Sequence, residues 1–200
     1  MENIAVMDSE ELMHLALRAT ERDEPEQAIT YLKRLLDTVP NDANATYLLG
    51  ALHAQIGMYD RAALEMAKAV ELEPGLHAAH FQLGLLHISS ARVQAAITAW
   101  KALDDLGPEH PYYLFKTGLL HLANDEFVDS ISYLKQGLAA NTINPALNKD
   151  MRKLLNAAET GLSQETHKSA DSDEAASAQA GGQHVLLSSY HEDDDNDTTR

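Results

Sequence analysis

Residues 43–76 read ANATYLLGALHAQIGMYDRAALEMAKAVELEPGL, and residues 77–110 return to the same pattern as HAAHFQLGLLHISSARVQAAITAWKALDDLGPEH. Leu49 and Leu83, Gly50 and Gly84, Ala62 and Ala96, and Pro74 and Pro108 all keep an offset of 34 residues. Within the first stretch, Ala45, Leu48, Leu49, Leu52 and His53 mark one apolar stripe at helical spacing. Ala62, Ala63, Met66, Ala69 and Val70 mark a second. Gly57 and Asp60 punctuate the gap, which is too short for anything but an antiparallel helix pair. Pro74 stops the second helix, because its nitrogen has no hydrogen to donate and its ring excludes a helical residue before it. Each stretch is therefore expected to be one helical hairpin.

The pattern extends outward in both directions. Leu15, Ala28 and Pro40 stand one period before Leu49, Ala62 and Pro74, and Gly118 stands one period after Gly84. Four units result, at about 9–42, 43–76, 77–110 and 111–144, with residues 1–8 as an extension. Ala16, Gly50, Gly84 and Gly118 keep one place small; glycine costs roughly 1 kcal/mol against alanine inside a helix, so its reuse implies close backbone approach. The fourth unit drifts, with Ser130 for alanine, Gly137 for a core residue and Thr142 for proline.

A 34-residue period with leucine, a small residue, alanine and then proline resembles the tetratricopeptide-repeat (TPR) family. The resemblance implies an all-α fold, a right-handed α-solenoid of four TPR-like hairpins in which stacked neighbours bury each other's apolar faces. Asn144 and Pro145 read as the cap and first residue of a further helix, with Leu147, Met151, Leu154, Leu155 and Ala158 on one side. That helix, 145–160, resembles the family's terminal capping helix. Residues 161–200, rich in Ser, Ala, Gly and acid, are expected to be a disordered acidic tail.

Composition narrows the function. The net charge is −16, and both the repeats and the tail are acidic. The densest cationic pairs, Lys33-Arg34 and Arg152-Lys153, are too few for a phosphate-binding surface, so nucleic acid and anionic membranes are not expected partners. With no cysteine there is no disulfide, thiolate metal site or thiol nucleophile. The start has no cationic stretch or apolar core resembling a secretory signal, and no 18-residue apolar window occurs, so a cytoplasmic protein is expected. Glycine-rich phosphate loops, the His-Glu metalloprotease motif and the serine nucleophile elbow do not occur. The expectation is a non-enzymatic protein without cofactor or metal.

In this family the first helices line a concave groove. Column by column, the resemblance assigns Met13, Tyr47, Phe81 and Phe115 to one row, Leu17, Ala51, Leu85 and Leu119 to the next, and Thr20, Ala54, Ile88 and Leu122 to a third, with Gln55 beside it. The candidate partner-binding residues are Met13, Leu17, Tyr47, Gln55, Phe81, Leu85, Ile88, Phe115, Leu119 and Leu122. Helical spacing alone does not separate such a row from inter-repeat core. The lysine, asparagine and arginine with which some family members grip chaperone carboxylates are missing from these places.

His53, His87 and His121 form a ladder with the 34-residue step. Packed helices lie about 8–10 Å apart, whereas a shared zinc ion needs nitrogens within about 2.1 Å, so each imidazole is expected to find a local hydrogen bond instead. In the tail, Val185, Leu186, Leu187 and Tyr190 make one apolar island before the acidic run 192–195, a possible docking motif. The leading expectation is an adaptor or scaffold, monomer or homodimer, holding a peptide or amphipathic helix of another protein in the groove. The alternative is a cytoplasmic secretion chaperone for an aggregation-prone client, similar to the translocator chaperones of type III secretion.

Overall fold

The computed structural model of the protein describes residues 7–142 and 144–171. Among the described residues every regular element is helical: α1 (Ser9–Glu21), α2 (Pro25–Thr38), α3 (Ala43–Gln55), α4 (Tyr59–Leu72), α5 (His77–Ser89), α6 (Val93–Trp100), α7 (Pro111–Ala123), α8 (Phe127–Ala140) and α9 (Pro145–Asp171). A 3-10 helix, Lys101–Leu106, continues α6. The chain divides into two compact units that meet within α5, the first ending at Leu86 and the second starting at His87. In the first, α1 packs on α2, α3 on α4, and α2 on α3. In the second, α7 packs on α8, α8 on α9, and the 3-10 helix on α7. None of the described helices is long and apolar enough to cross a membrane.

The hairpin turns repeat in their backbone. Asp23 (φ 58°), Gly57 (φ 76°), Ala91 (φ 57°) and Asp125 (φ 60°) are one period apart, and all four are left-handed. That conformation turns the next N–H back to the carbonyl five residues earlier. Glu24 donates to Ala19 (2.9 Å), Met58 to His53 (2.8 Å), Arg92 to His87 (2.8 Å) and Glu126 to His121 (3.0 Å). Carbonyls orphaned at the helix end are thereby satisfied without water. The turn chemistry is legible at Gly57, where the left-handed region costs nothing, and hidden at Ala91.

The second helices of the hairpins keep one length. α2, α4 and α8 each have 14 residues. The third unit fills the same 14 positions as eight α-helical residues followed by six of 3-10 helix, with Trp100 and Leu103 buried. Small residues allow the helices of a hairpin to close. A Cβ on Gly50 would stand 3.1 Å from Met66 Cγ and 3.2 Å from the Ala62 carbonyl oxygen, and one on Gly118 would stand 3.0 Å from Leu134 Cγ. The departures of the fourth unit have different consequences. Ser130 is fully buried, and its Oγ has no hydrogen-bond partner among the described residues.

The end of the array differs from the expectation. Asn144 Oδ1 does accept the Leu147 N–H (3.0 Å), and Pro145 opens α9. Asn141 and Asn148 fasten the α8–α9 joint, Asn141 Nδ2 donating to Asn148 Oδ1 (2.9 Å) and Asn148 Nδ2 to the Asn141 carbonyl (2.8 Å). The helix, however, continues past residue 160 to Asp171, so the expected boundary at 160 is corrected. Gly161 is buried, and a Cβ there would come within 2.4 Å of Phe127 Cε1. A residue that reads as a helix breaker instead makes the seat for an α8 aromatic. Val185, Leu186, Leu187 and Tyr190 lie outside the described residues.

Candidate partner-binding surface

In the first unit, Met13 and Leu17 stand one turn apart on α1, and Tyr47 and Ala51 one turn apart on α3. Met13 is half-buried against the core formed by α1, α2 and α3, and Tyr47 is half-buried. Leu17 keeps 41% of its surface exposed. Gln55, exposed at the end of α3, donates its Nε2 to Asp23 Oδ1 (3.1 Å) just beyond α1. That bond ties the C-terminal end of α3 to the turn after α1. Among the apolar residues of these two stripes, Leu17 is the most open.

The other six expected groove residues are placed differently. Phe81, Phe115, Leu119 and Leu122 have no exposed surface, and Leu85 and Ile88 are buried. They are core residues, and their assignment to a partner-facing row is corrected. For Phe115 the physical reason is visible. Its ring packs on α8 over Gly137, where a Cβ would lie 2.5 Å from both Cδ1 and Cε1. Gly137, which reads as a lost core residue, is the socket that lets an aromatic sink into the hairpin.

The histidines of the ladder each meet a different environment. His53 is buried, with Nδ1 2.5 Å from Glu65 Oε2, and Arg61 Nε reaches the other carboxylate oxygen at 3.4 Å. His121 Nδ1 lies 2.5 Å from Glu126 Oε2, and its ring stacks on Tyr133 with centroids 5.3 Å apart. His87 Nδ1 is shielded from solvent and has no hydrogen-bond partner among the described residues. Burial pushes the His87 imidazole below its ordinary value of 6.5, and the nearby Arg92 charge pushes it the same way. The unfolded chain therefore binds the proton more readily than the folded one. Stability from neutral His87 is fully present above about pH 6.5 and is lost as the pH falls through the depressed folded value. Between about pH 7.5 and about pH 5, the melting temperature of the wild type is expected to fall further than that of His87→Gln. Equal slopes in thermal scans would contradict this.

Val39, Ile56, Met58, Tyr59, Leu64, Ile97 and Val128 are exposed apolar side chains outside the expected rows, and three of them, Ile56, Met58 and Leu64, depart from their columns within one hairpin, a signal the sequence carries. Reading down the repeat columns exposes them. Ile56 aligns with Arg22, Ser90 and Asn124; Met58 with Glu24, Arg92 and Glu126; Leu64 with Thr30, Thr98 and Ser132. Each is apolar where the other three units are polar.

The tetratricopeptide repeat profile matches residues 14–77 and 81–145. The CTR9 homolog of Arabidopsis thaliana is 32% identical over 111 residues, a match covering 53% of this chain and 10% of that protein, so the chain spans about a tenth of this relative. MamA 41-end from Desulfovibrio magneticus RS-1 has the same fold, with a TM-score of 0.57 at 19% identity over 83% of this chain and 97% of that chain. A mutant O-GlcNAc transferase from Thermobaculum terrenum matches with a TM-score of 0.55 at 24% identity over 68% of this chain and 27% of that one. The period, the hairpins and a profile match over more than half of the length agree: the chain belongs to the tetratricopeptide repeat family, with the all-α solenoid fold of such arrays.

Proposed function

We propose that the protein is a non-catalytic adaptor that holds an apolar or amphipathic segment of another protein against the α1–α3 face, with Met13, Leu17, Tyr47 and Gln55 as its contacts. Arrays of this family act as interaction modules, and stacked hairpins offer broad helix surfaces rather than a closed pocket. The observation that carries the proposal is Leu17. It is a large apolar side chain left open one turn from Met13 on α1, where core packing has not claimed it. A helix in a groove recognises such anchors at one-turn spacing.

The test is affinity capture from the native cell with the wild type and Leu17→Glu compared. Leucine contributes about 1.5–3 kcal/mol when fully buried, and the part of Leu17 still open contributes a fraction of that. Placing a carboxylate against an apolar partner adds a desolvation cost, so partner recovery is expected to fall at least about tenfold. The variant's melting temperature should stay close to that of the wild type, because the side chain is already partly in water. Undiminished recovery would show that the partner sits elsewhere. A captured protein that aggregates when expressed alone would indicate the chaperone role, and one that is stable alone the adaptor role.

A further inference from the structure

From the α4 surface of the first unit we infer that the protein self-associates as an antiparallel dimer, with α4 packing on α4 of a second copy about a twofold axis at Leu64. Leu64 is the most open large apolar residue among those described, with 74% of its surface exposed. The chain supplies its own reference for how unusual this is. The equivalent positions in the other three hairpins are Thr30, Thr98 and Ser132, so a hydroxyl is what this place on a solvent-facing second helix ordinarily carries. Ile56 and Met58, at the turn that leads into α4, break the polar habit of their columns in the same hairpin. Val39 and Val128 are single departures of this kind in the first and fourth hairpins, whereas the second hairpin gathers three around one helix, which points to a covered surface there.

The charges beside Leu64 choose the occupant. Asp60, Leu64 and Lys68 are spaced at i, i+4 and i+8, so they lie along one stripe of α4. At a rise of 1.5 Å per residue, the carboxylate-bearing and ammonium-bearing positions stand about 6 Å on either side of the leucine. When two such stripes are laid antiparallel with Leu64 on Leu64, Asp60 of each copy faces Lys68 of the other. A parallel pairing would set like charges opposite each other. The stripe is thus self-complementary under twofold rotation, as an isologous interface requires. Asp60 and Lys68 are both exposed, and the bond from Lys68 Nζ to the Pro40 carbonyl (3.1 Å) uses one of the three hydrogens of the ammonium. A single helix-on-helix contact falls below the size of strong interfaces, so the dimer is expected to be weak.

Sedimentation equilibrium of the full chain from about 1 µM to about 1 mM tests this, a range that brackets weak association. The wild type should rise toward twice the monomer mass at the upper end. Leu64→Lys, Asp60→Lys and Lys68→Asp should each weaken association at least about tenfold, equivalent to about 1.4 kcal/mol, while the double variant Asp60→Lys with Lys68→Asp recovers it. A chain that stays monomeric throughout would overturn the inference. So would a dimer that ignores the single charge reversals, or one that the double reversal fails to restore. A second measurement does not depend on those charges. Because the chain has no cysteine, Leu64→Cys provides a unique thiol that sits beside its own copy at the twofold. Under mild oxidation it should form a disulfide-linked dimer at least tenfold faster than Thr98→Cys, the equivalent exposed position of the third hairpin; equal rates would contradict the arrangement. Loss of self-association with Leu64→Lys but not with Leu17→Glu separates this surface from the proposed partner face.

Discussion

Phe115→Ala is expected to destabilise the protein by about 3–5 kcal/mol, the range for emptying a buried phenylalanine site. The ring has no exposed surface and sits on the α7–α8 interface over Gly137. Truncation leaves a cavity between two helices that the close approach of Gly118 to Leu134 already holds in place, so collapse is limited. The converse change probes the same socket. Gly137→Ala gains helix propensity of about 1 kcal/mol, yet its Cβ would enter the ring at 2.5 Å. Overpacking of that kind costs about 1–3 kcal/mol, so a net loss is expected. Chemical denaturation of the single and paired variants reads the coupling: Gly137→Ala should cost less when Phe115 is leucine than when it is phenylalanine. Additive effects would mean that the two positions do not share the socket. This result also changes how a binding experiment is designed. Replacing Phe115 to test partner recognition would report unfolding, whereas Leu17 reports recognition.

The contrast between Phe115 and Leu17 shows what the sequence made legible. Hairpin boundaries follow from local sterics: a proline that forbids helix, a left-handed glycine at 57, and the Asn144-Pro145 helix start. All three are readable because they involve neighbours in the chain. Whether an apolar column faces outward depends on what stands across from it. Phe115 is sealed because position 137 is glycine, 22 residues later in the sequence and opposite it in space. Phe127 similarly needs Gly161, and a glycine in a helix, read alone, suggests an end rather than a socket. The α4 surface, absent from the sequence-based expectations, is accessible by a different route. Four copies of one hairpin provide an internal comparison, and Leu64 departs from a column that otherwise holds Thr30, Thr98 and Ser132.

Asp104→Ala should produce the second large loss, and the partner substitution should not mirror it. Lys116 on α7 is only 6% exposed, while the equivalent places in the first three units carry His14, Leu48 and Gln82. Its ammonium is hydrogen-bonded to Asp104 in the 3-10 helix and lies 5.0 Å from the centre of the Tyr113 ring. Removing the carboxylate leaves a charge in a site shielded from water, with only the ring's quadrupole facing it. A fully buried pair broken this way costs about 3–5 kcal/mol; here about half of the Asp104 side chain is in water, so about 1–3 kcal/mol is expected. Lys116→Met removes the charge itself and keeps the length of the stem. It should therefore stay within about 1 kcal/mol of the wild type or exceed it, because the desolvation cost disappears along with the attraction. The decisive comparison is the double variant. If the pair acts as argued, Asp104→Ala costs little once Lys116 is methionine, and the coupling measured by denaturation accounts for most of the single loss. An undiminished loss in the methionine background would assign the effect to the 3-10 helix that carries Asp104 and not to the buried charge.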